Sequence, residues 1–169
     1  MTAEPLSLHQ IGIEGADVLT ALHHGSFPPD TGERWGGSEL SEVLRMPGVL
    51  GLVACRLDEP LGYAMVRFAA DECELLSLGV LVQARRTGVA RSLLAHLLGL
   101  CKSRAARQLF LEVREDNEAA RAFYKDHGFK QIGRRPRYYQ LADGGFRDAV
   151  TMACAPDEFK NRNKNKHHR

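Results

Sequence analysis

The order in which the hydrophobic patterns change along the chain predicts a mixed α/β (α+β) domain around one central sheet of about seven strands, flanked by about four helices. Three observations carry this. The patterns run strand, two helices, three strands, helix, strand, helix, two strands, whereas a doubly wound nucleotide fold needs strict strand–helix alternation. A chain of 169 residues with 44% hydrophobic positions suits a single domain, assigned to residues 1–159, that needs no metal or disulfide staple. No apolar run approaches the roughly 20 residues that span a bilayer, so no membrane partner is expected.

Leu6 to Ile13 alternates weakly and predicts the first strand. Glu14 to Ser26 follows with apolar residues at Val18, Leu19 and Leu22, a helical spacing. The prolines and glycines of Phe27 to Ser38 predict a loop, after which Ser38 is placed to cap a short helix through Leu44, stopped by Pro47-Gly48. Val49–Leu57 and Leu61–Ala69, separated by DEP, read as a hairpin, and Cys73–Val82 as a third, nearly continuous apolar strand. The period then changes. From Arg86 to Arg104, Val89, Leu93, Leu97, Leu100 and Cys101 share one helical face. Gln108–Val113 is strand-like, and Asn117–His127 is a helix capped by Asn117 and closed by Gly128. Lys130–Leu141 and Phe146–Cys154 complete the pattern as two strands joined by ADGG.

The formal charge of +2 averages two unlike segments. The last ten residues, 160–169, hold five Lys and Arg and no acid, which leaves 18 basic against 21 acidic residues in 1–159. The tail has no apolar residue to bury and reads as disordered, either a solubilising end or a nonspecific contact to RNA or the ribosome. Nucleic acid is expected to be touched there alone, and the domain to be a monomer or weak dimer. The start MTAEPLSLHQ lacks a basic and an apolar signal region, so a cytoplasmic location is expected. Cys55, Cys73, Cys101 and Cys154 are far apart without a CxxC pair and read as small core residues. His23-His24 has no partner at ligand spacing, so solvated or capping roles are expected there and no metal anywhere.

The junction between the third hairpin-region strand and the long helix is the most informative stretch. Arg85-Arg86-Thr87-Gly88-Val89-Ala90-Arg91 opens a helix whose first turn presents unpaired N–H groups and the positive end of its dipole. Small residues at Gly88 and Ala90 admit a ligand to that backbone, which suits a pyrophosphate. The P-loop and dinucleotide fingerprints are both absent.

R-x-x-G-x-A after a sheet strand resembles the acetyl-coenzyme A signature of the GNAT superfamily of N-acetyltransferases. Leu111-Glu112-Val113-Arg114, Asn117, Tyr124, Gly128-Phe129 and Tyr138-Tyr139 are similar to its RimI-type branch, bacterial enzymes that acetylate a ribosomal protein at an N-terminal alanine. The likeness covers about residues 6–154, with departures at Arg85, where the branch more often has Gln, and in the longer Phe27–Ser38 loop. It implies the GNAT fold with a mixed, mostly antiparallel sheet, and acetyl-CoA as cosubstrate. It implies that the backbone of Leu78, Gly79 and Val80 pairs with the pantetheine arm. Arg86, Thr87, Gly88, Val89, Ala90 and Arg91 would wrap the pyrophosphate, and Asn117 would touch the cofactor or simply cap its helix. It further implies Glu112 as general base, Tyr124 as the acid that protonates the departing thiolate, and Trp35, Tyr138 and Tyr139 at the acceptor. A surface-facing strand glutamate and a core aromatic would satisfy the same patterns at 112 and 124.

Acid–base arithmetic bears on the acceptor. At pH 7 the neutral form of an α-amino group costs only about 1–1.4 kcal/mol, against roughly 4.6 kcal/mol for a lysine ε-amine. A single glutamate base therefore favours a protein N-terminus. A small amine or lysine acceptor, and a noncatalytic acetyl-CoA-binding module, stand as the competing readings.

Overall fold

A computed structural model describes residues 4–27 and 35–161. Most of the Phe27–Ser38 loop and all of the tail from 162 lie outside these residues. The strands are β1 (Ser7–Ile11), β2 (Val49–Arg56), β3 (Glu59–Ala69), β4 (Glu72–Val80), β5 (Gln108–Arg114), β6 (Lys130–Gln140) and β7 (Phe146–Cys154). The helices are α1 (Ala16–Ser26), α2 (Gly37–Arg45), α3 (Val89–Ser103) and α4 (Glu118–Asp126).

All seven strands form one sheet in the order β1-β2-β3-β4-β5-β7-β6. Every neighbouring pair is antiparallel except β4–β5. The parallel pair is joined through α3, as a parallel crossover requires. The predicted mixed, mostly antiparallel sheet with four helices is the observed architecture.

Alternation along β2 and β3 sends side chains into two cores on opposite faces of the sheet. Leu52, Ala54, Ala64 and Val66 join α3, α4 and the inward residues of β5 and β7 on one face. Val53, Cys55, Tyr63 and Met65 pack against α1 and α2 on the other. In α3, Leu93, Leu94 and Leu97 are fully buried, each worth about 1.5–3 kcal/mol of apolar transfer. All four cysteines are buried and free.

Local signals decide several boundaries differently from the sequence reading. Gly36, not Ser38, caps α2, because the Glu39 carboxylate reaches back to accept the Gly36 N–H at 3.0 Å. The buried face of α1 is Ala16, Leu19, Leu22, His23 and Ser26, while Val18 is exposed. The β2–β3 turn is the pair Leu57-Asp58, both at positive φ, so β3 begins two residues before Leu61. Helix α3 starts at Val89 rather than Arg86, after a short 3₁₀ turn at Val82–Ala84. By contrast α4 begins at its predicted cap, with the Asn117 side chain accepting from the Ala120 N–H at 3.1 Å. Strand β7 matches its predicted span.

Candidate active site

The site begins as a defect in the sheet. Strand β4 pairs with β5 only over Glu72–Leu75, opposite Gln108–Leu111. From Leu76 to Val80 the β5-facing edge of β4 has no strand partner among the described residues. The departure coincides with a β-bulge. Met65 pairs with Ser77 and Val66 with Leu75, which leaves Leu76 as the extra residue and puts Leu76 and Ser77 on one face. Where the strands part, a cavity of about 540 Å³ opens between them.

Side chains reach this cavity from both faces. Leu111 and Val113 belong to the α3–α4 core, so alternation sends Glu112 to the opposite, α1–α2 face. Tyr124 comes from α4 on the core side, 9% exposed and set edge-on to Phe129 at 5.4 Å. Both line the same cavity, so it passes through the sheet.

Glu112 is only 14% exposed and is ion-paired to the Arg135 Nε at 2.5 Å. Tyr138 lines the same cavity wall beside this carboxylate. Burial, and then the negative charge of Glu112, push the Tyr138 hydroxyl above the ordinary tyrosine range, with Arg135 opposing. Glu74, paired to Arg67 at 2.6 Å, adds a second carboxylate to the cavity wall.

The wall on the α1 side is a buried polar chain. His23 is 1% exposed, and its Nε2 accepts the Trp35 N–H at 2.7 Å. A backbone N–H can only donate, so His23 carries its proton on Nδ1 and donates it to the Tyr63 hydroxyl at 2.6 Å. Tyr63 in turn contacts Ser77 Oγ at 2.6 Å. The expectation of a solvated or capping histidine therefore fails at His23, which is a core residue fixing Trp35 to the sheet. His24 bonds the Trp35 carbonyl at 2.8 Å.

Of the residues singled out in the sequence, Glu112, Tyr124, Leu78, Asn117, Trp35, Tyr138 and Tyr139 share this cavity. Gly79, Val80 and the 86–91 loop lie off its walls, at and beyond the end of β4. Gly79 is explained by packing, since a Cβ there would lie 2.6 Å from Tyr63 and 2.8 Å from Ser26. In the loop, Gly88 takes φ 88° as the residue before α3, a conformation glycine adopts freely. The first intrahelical bond runs from the Ser92 N–H to the Gly88 carbonyl, so the amides of Val89, Ala90 and Arg91 are the free donors of that helix end. Val89 is buried in the core. Arg85 turns away and donates to the Ser26 carbonyl at 2.9 Å.

Sequence reasoning missed Glu74, Ser77, His23 and Arg135. An arginine pair two residues before the tyrosine pair was the visible signal for the last of these. Among the described residues no group of three or more His, Cys, Asp or Glu side chains is placed to hold a metal ion. Nor is any described helix long and apolar enough to cross a membrane.

Comparison with known proteins bears on the family and the fold. The model of the acetyltransferase (GNAT) family matches residues 17–129. The ribosomal protein bS18-alanine N-acetyltransferase of Escherichia coli K12 is 37% identical over 128 residues, 76% of each chain. Its Haemophilus influenzae counterpart is 33% identical over 105 residues, covering 62% of this chain and 71% of that protein. The crystal structure of the Escherichia coli ribosomal-protein-S18-alanine N-acetyltransferase superposes with a TM-score of 0.79 at 23% identity, over 97% of this chain and 100% of that one. The parted strands, the glycine-preceded helix end and the family match over two-thirds of the sequence lead to one conclusion: this chain belongs to the GNAT family of acetyltransferases.

Proposed function

We propose that this protein transfers the acetyl group of acetyl-CoA to the N-terminal α-amine of a protein, an alanine-starting ribosomal protein, by direct attack within a ternary complex. The observation that carries the reading is the cavity through the sheet, with Glu112 and Tyr124 reaching it from opposite faces. The relatives named as bS18-alanine N-acetyltransferases support the acceptor class.

The bound cosubstrate supplies an activated thioester. The unpartnered edge of β4 at Leu78, Gly79 and Val80 offers backbone groups to its extended arm, as a strand would. The amides that open α3, with Arg86, Thr87, Gly88 and Arg91 around them, receive the pyrophosphate. Asn117 fixes the start of α4 and thereby the position of Tyr124. On the other face, Trp35, Tyr138 and Tyr139 form the acceptor's walls. Glu112 takes the proton from the attacking amine, and Tyr124 delivers one to the leaving sulfur. The acceptor nitrogen and the leaving thiolate thus meet their partners from opposite sides, and no covalent enzyme intermediate is needed.

The test is CoA release with an alanine-starting peptide, peptides with other N-termini, an N-blocked lysine peptide and small amines. Preference for the free alanine N-terminus is expected. Preference for the lysine peptide or a small amine would replace the acceptor assignment, and tight acetyl-CoA binding without release from any amine would replace catalysis with binding.

A further inference from the structure

Strand β6 carries an irregularity that its sheet pairing does not require. Arg135 pairs with Ala149 and Tyr139 with Arg147, so Pro136, Arg137 and Tyr138 together span the single residue Asp148. Arg137 sits at φ 53° and its N–H is held by the Asp148 carboxylate at 2.9 Å. The bulge places Tyr138 beside Arg135, whose guanidinium lies 5.7 Å from the tyrosine ring and is ion-paired to Glu112.

The two partners of this ion pair differ sharply. Glu112 is buried in the cavity wall, while the Arg135 side chain is 63% exposed. The neighbouring Arg134 is engaged elsewhere, by Glu115 at 2.9 Å and Asp148 at 2.8 Å. A largely buried carboxylate is costly without a cation beside it, and Arg135 is the cation that Glu112 has among the described residues.

We propose that Arg135 stands in for the acceptor's ammonium group on Glu112, so that acceptor binding is an exchange of one cation for another. This rests on the reading of Glu112 as the residue that meets the amine. An arriving ammonium carries three donors and matches what it displaces. An uncharged group offers no replacement charge, which makes Arg135 a specificity-determining residue for cationic acceptors. The exchange is low in cost because the guanidinium is already mostly in water and returns there.

The experiment measures acceptor-peptide Kd by calorimetry in the presence of CoA, and KM and kcat with acetyl-CoA. The proteins are wild type, R135Q, R135K, E112Q and the E112Q/R135Q double variant, and acetyl-CoA affinity serves as the check that each is folded. R135Q should bind the acceptor about three- to fivefold more tightly, the range for a largely exposed ion pair. R135K should stay near wild type, and adding R135Q to E112Q should change nothing. Weaker binding by R135Q, or an equal gain in the E112Q background, overturns the exchange. No CoA release by wild type with any N-terminal peptide is a different result, and it removes the functional reading on which the exchange depends.

Discussion

The two walls of the cavity handle polarity in opposite ways. On the α1 side, His23, Tyr63 and Ser77 form a hydrogen-bonded chain whose first two members are almost wholly buried and which ends on the Trp35 backbone. On the β5–β7–β6 side, polar groups are joined by ion pairs, the cavity-lining Glu112 with the exposed Arg135 and, outside the cavity, Arg134 with Glu115 and Asp148 and Arg147 with Asp116. Buried neutral hydrogen bonds hold one geometry, because breaking any one strands a desolvated group. Exposed ion pairs exchange partners at little cost. One wall is therefore a fixed template and the other an adjustable clasp.

The largest effect expected from perturbing this division lies in the chemistry itself. E112Q and Y124F should each lower kcat by about 10²- to 10⁴-fold, the usual worth of a positioned acid or base. Acetyl-CoA affinity should survive, since neither side chain is assigned to the phosphates. Steady-state kinetics beside a cofactor titration would decide it, and near-normal turnover in both variants would strip the cavity of its proposed roles.

The next effect separates the walls by stability. Y63F removes a hydroxyl that joins His23 Nδ1 to Ser77 Oγ, and it should cost about 1–3 kcal/mol by leaving buried polar atoms unsatisfied. R147A, which cuts an exposed pair on the β5–β7–β6 side, should leave Tm close to wild type. Thermal unfolding of the two variants would compare them directly. Equal losses would mean that the adjustable wall is not adjustable.

These walls were unequally legible in the sequence. Helix α4 and strand β7 were readable because their signals are local, an Asn cap with a closing Gly in one and a turn with alternation in the other. Glu112 stood out because a charge interrupts an apolar strand. The bulge in β4 was hidden, since a continuous apolar run carries no phase that a one-residue slip would disturb. The His23–Tyr63–Ser77 chain joins residues 40 and 14 positions apart on three elements, and no spacing rule connects them. Arg135 meets Glu112 across the intervening strand β7, through the register Glu112–Thr151–Gly133 and one step of alternation, and no spacing rule connects positions on two strands that are not neighbours.

A smaller effect concerns acid. Asp116 and Asp148 have carboxyls held below the ordinary value of 3.8, Asp116 first by its hydrogen bond from Arg114 and Asp148 first by the Arg137 N–H. Their folded-state values are depressed, so their stabilisation is complete above the unfolded value and fades as pH falls below it. Hydrogen exchange in residues 130–148, corrected for intrinsic rate, should rise between pH 5 and pH 3. Trp35 is the sole tryptophan, and its fluorescence should hold over the same interval. Loss of the Trp35 signal first would reverse the assignment of the weaker wall.

The smallest effect expected is on turnover in C101A. A covalent route through cysteine would need a thiolate within reach of the thioester. Cys101 is fully buried in the core, off the cavity walls. Beside it, a hydrogen bond with Cys101 and then burial push the Cys73 thiol far above its ordinary value. The Cys154 thiol is likewise pushed up to about 11 by burial. The Cys101 thiol itself is held below its ordinary value by the hydrogen bond from Cys73, against burial, so what keeps it from the thioester is its place in the core and not its acidity. C101A should therefore keep kcat and acceptor KM within about twofold of wild type, with a modest loss of stability from the small cavity left behind. If turnover vanished while the protein stayed folded and bound acetyl-CoA, an acyl-enzyme would have to replace direct attack. The two walls would then be positioning an acceptor for a second step instead of the first.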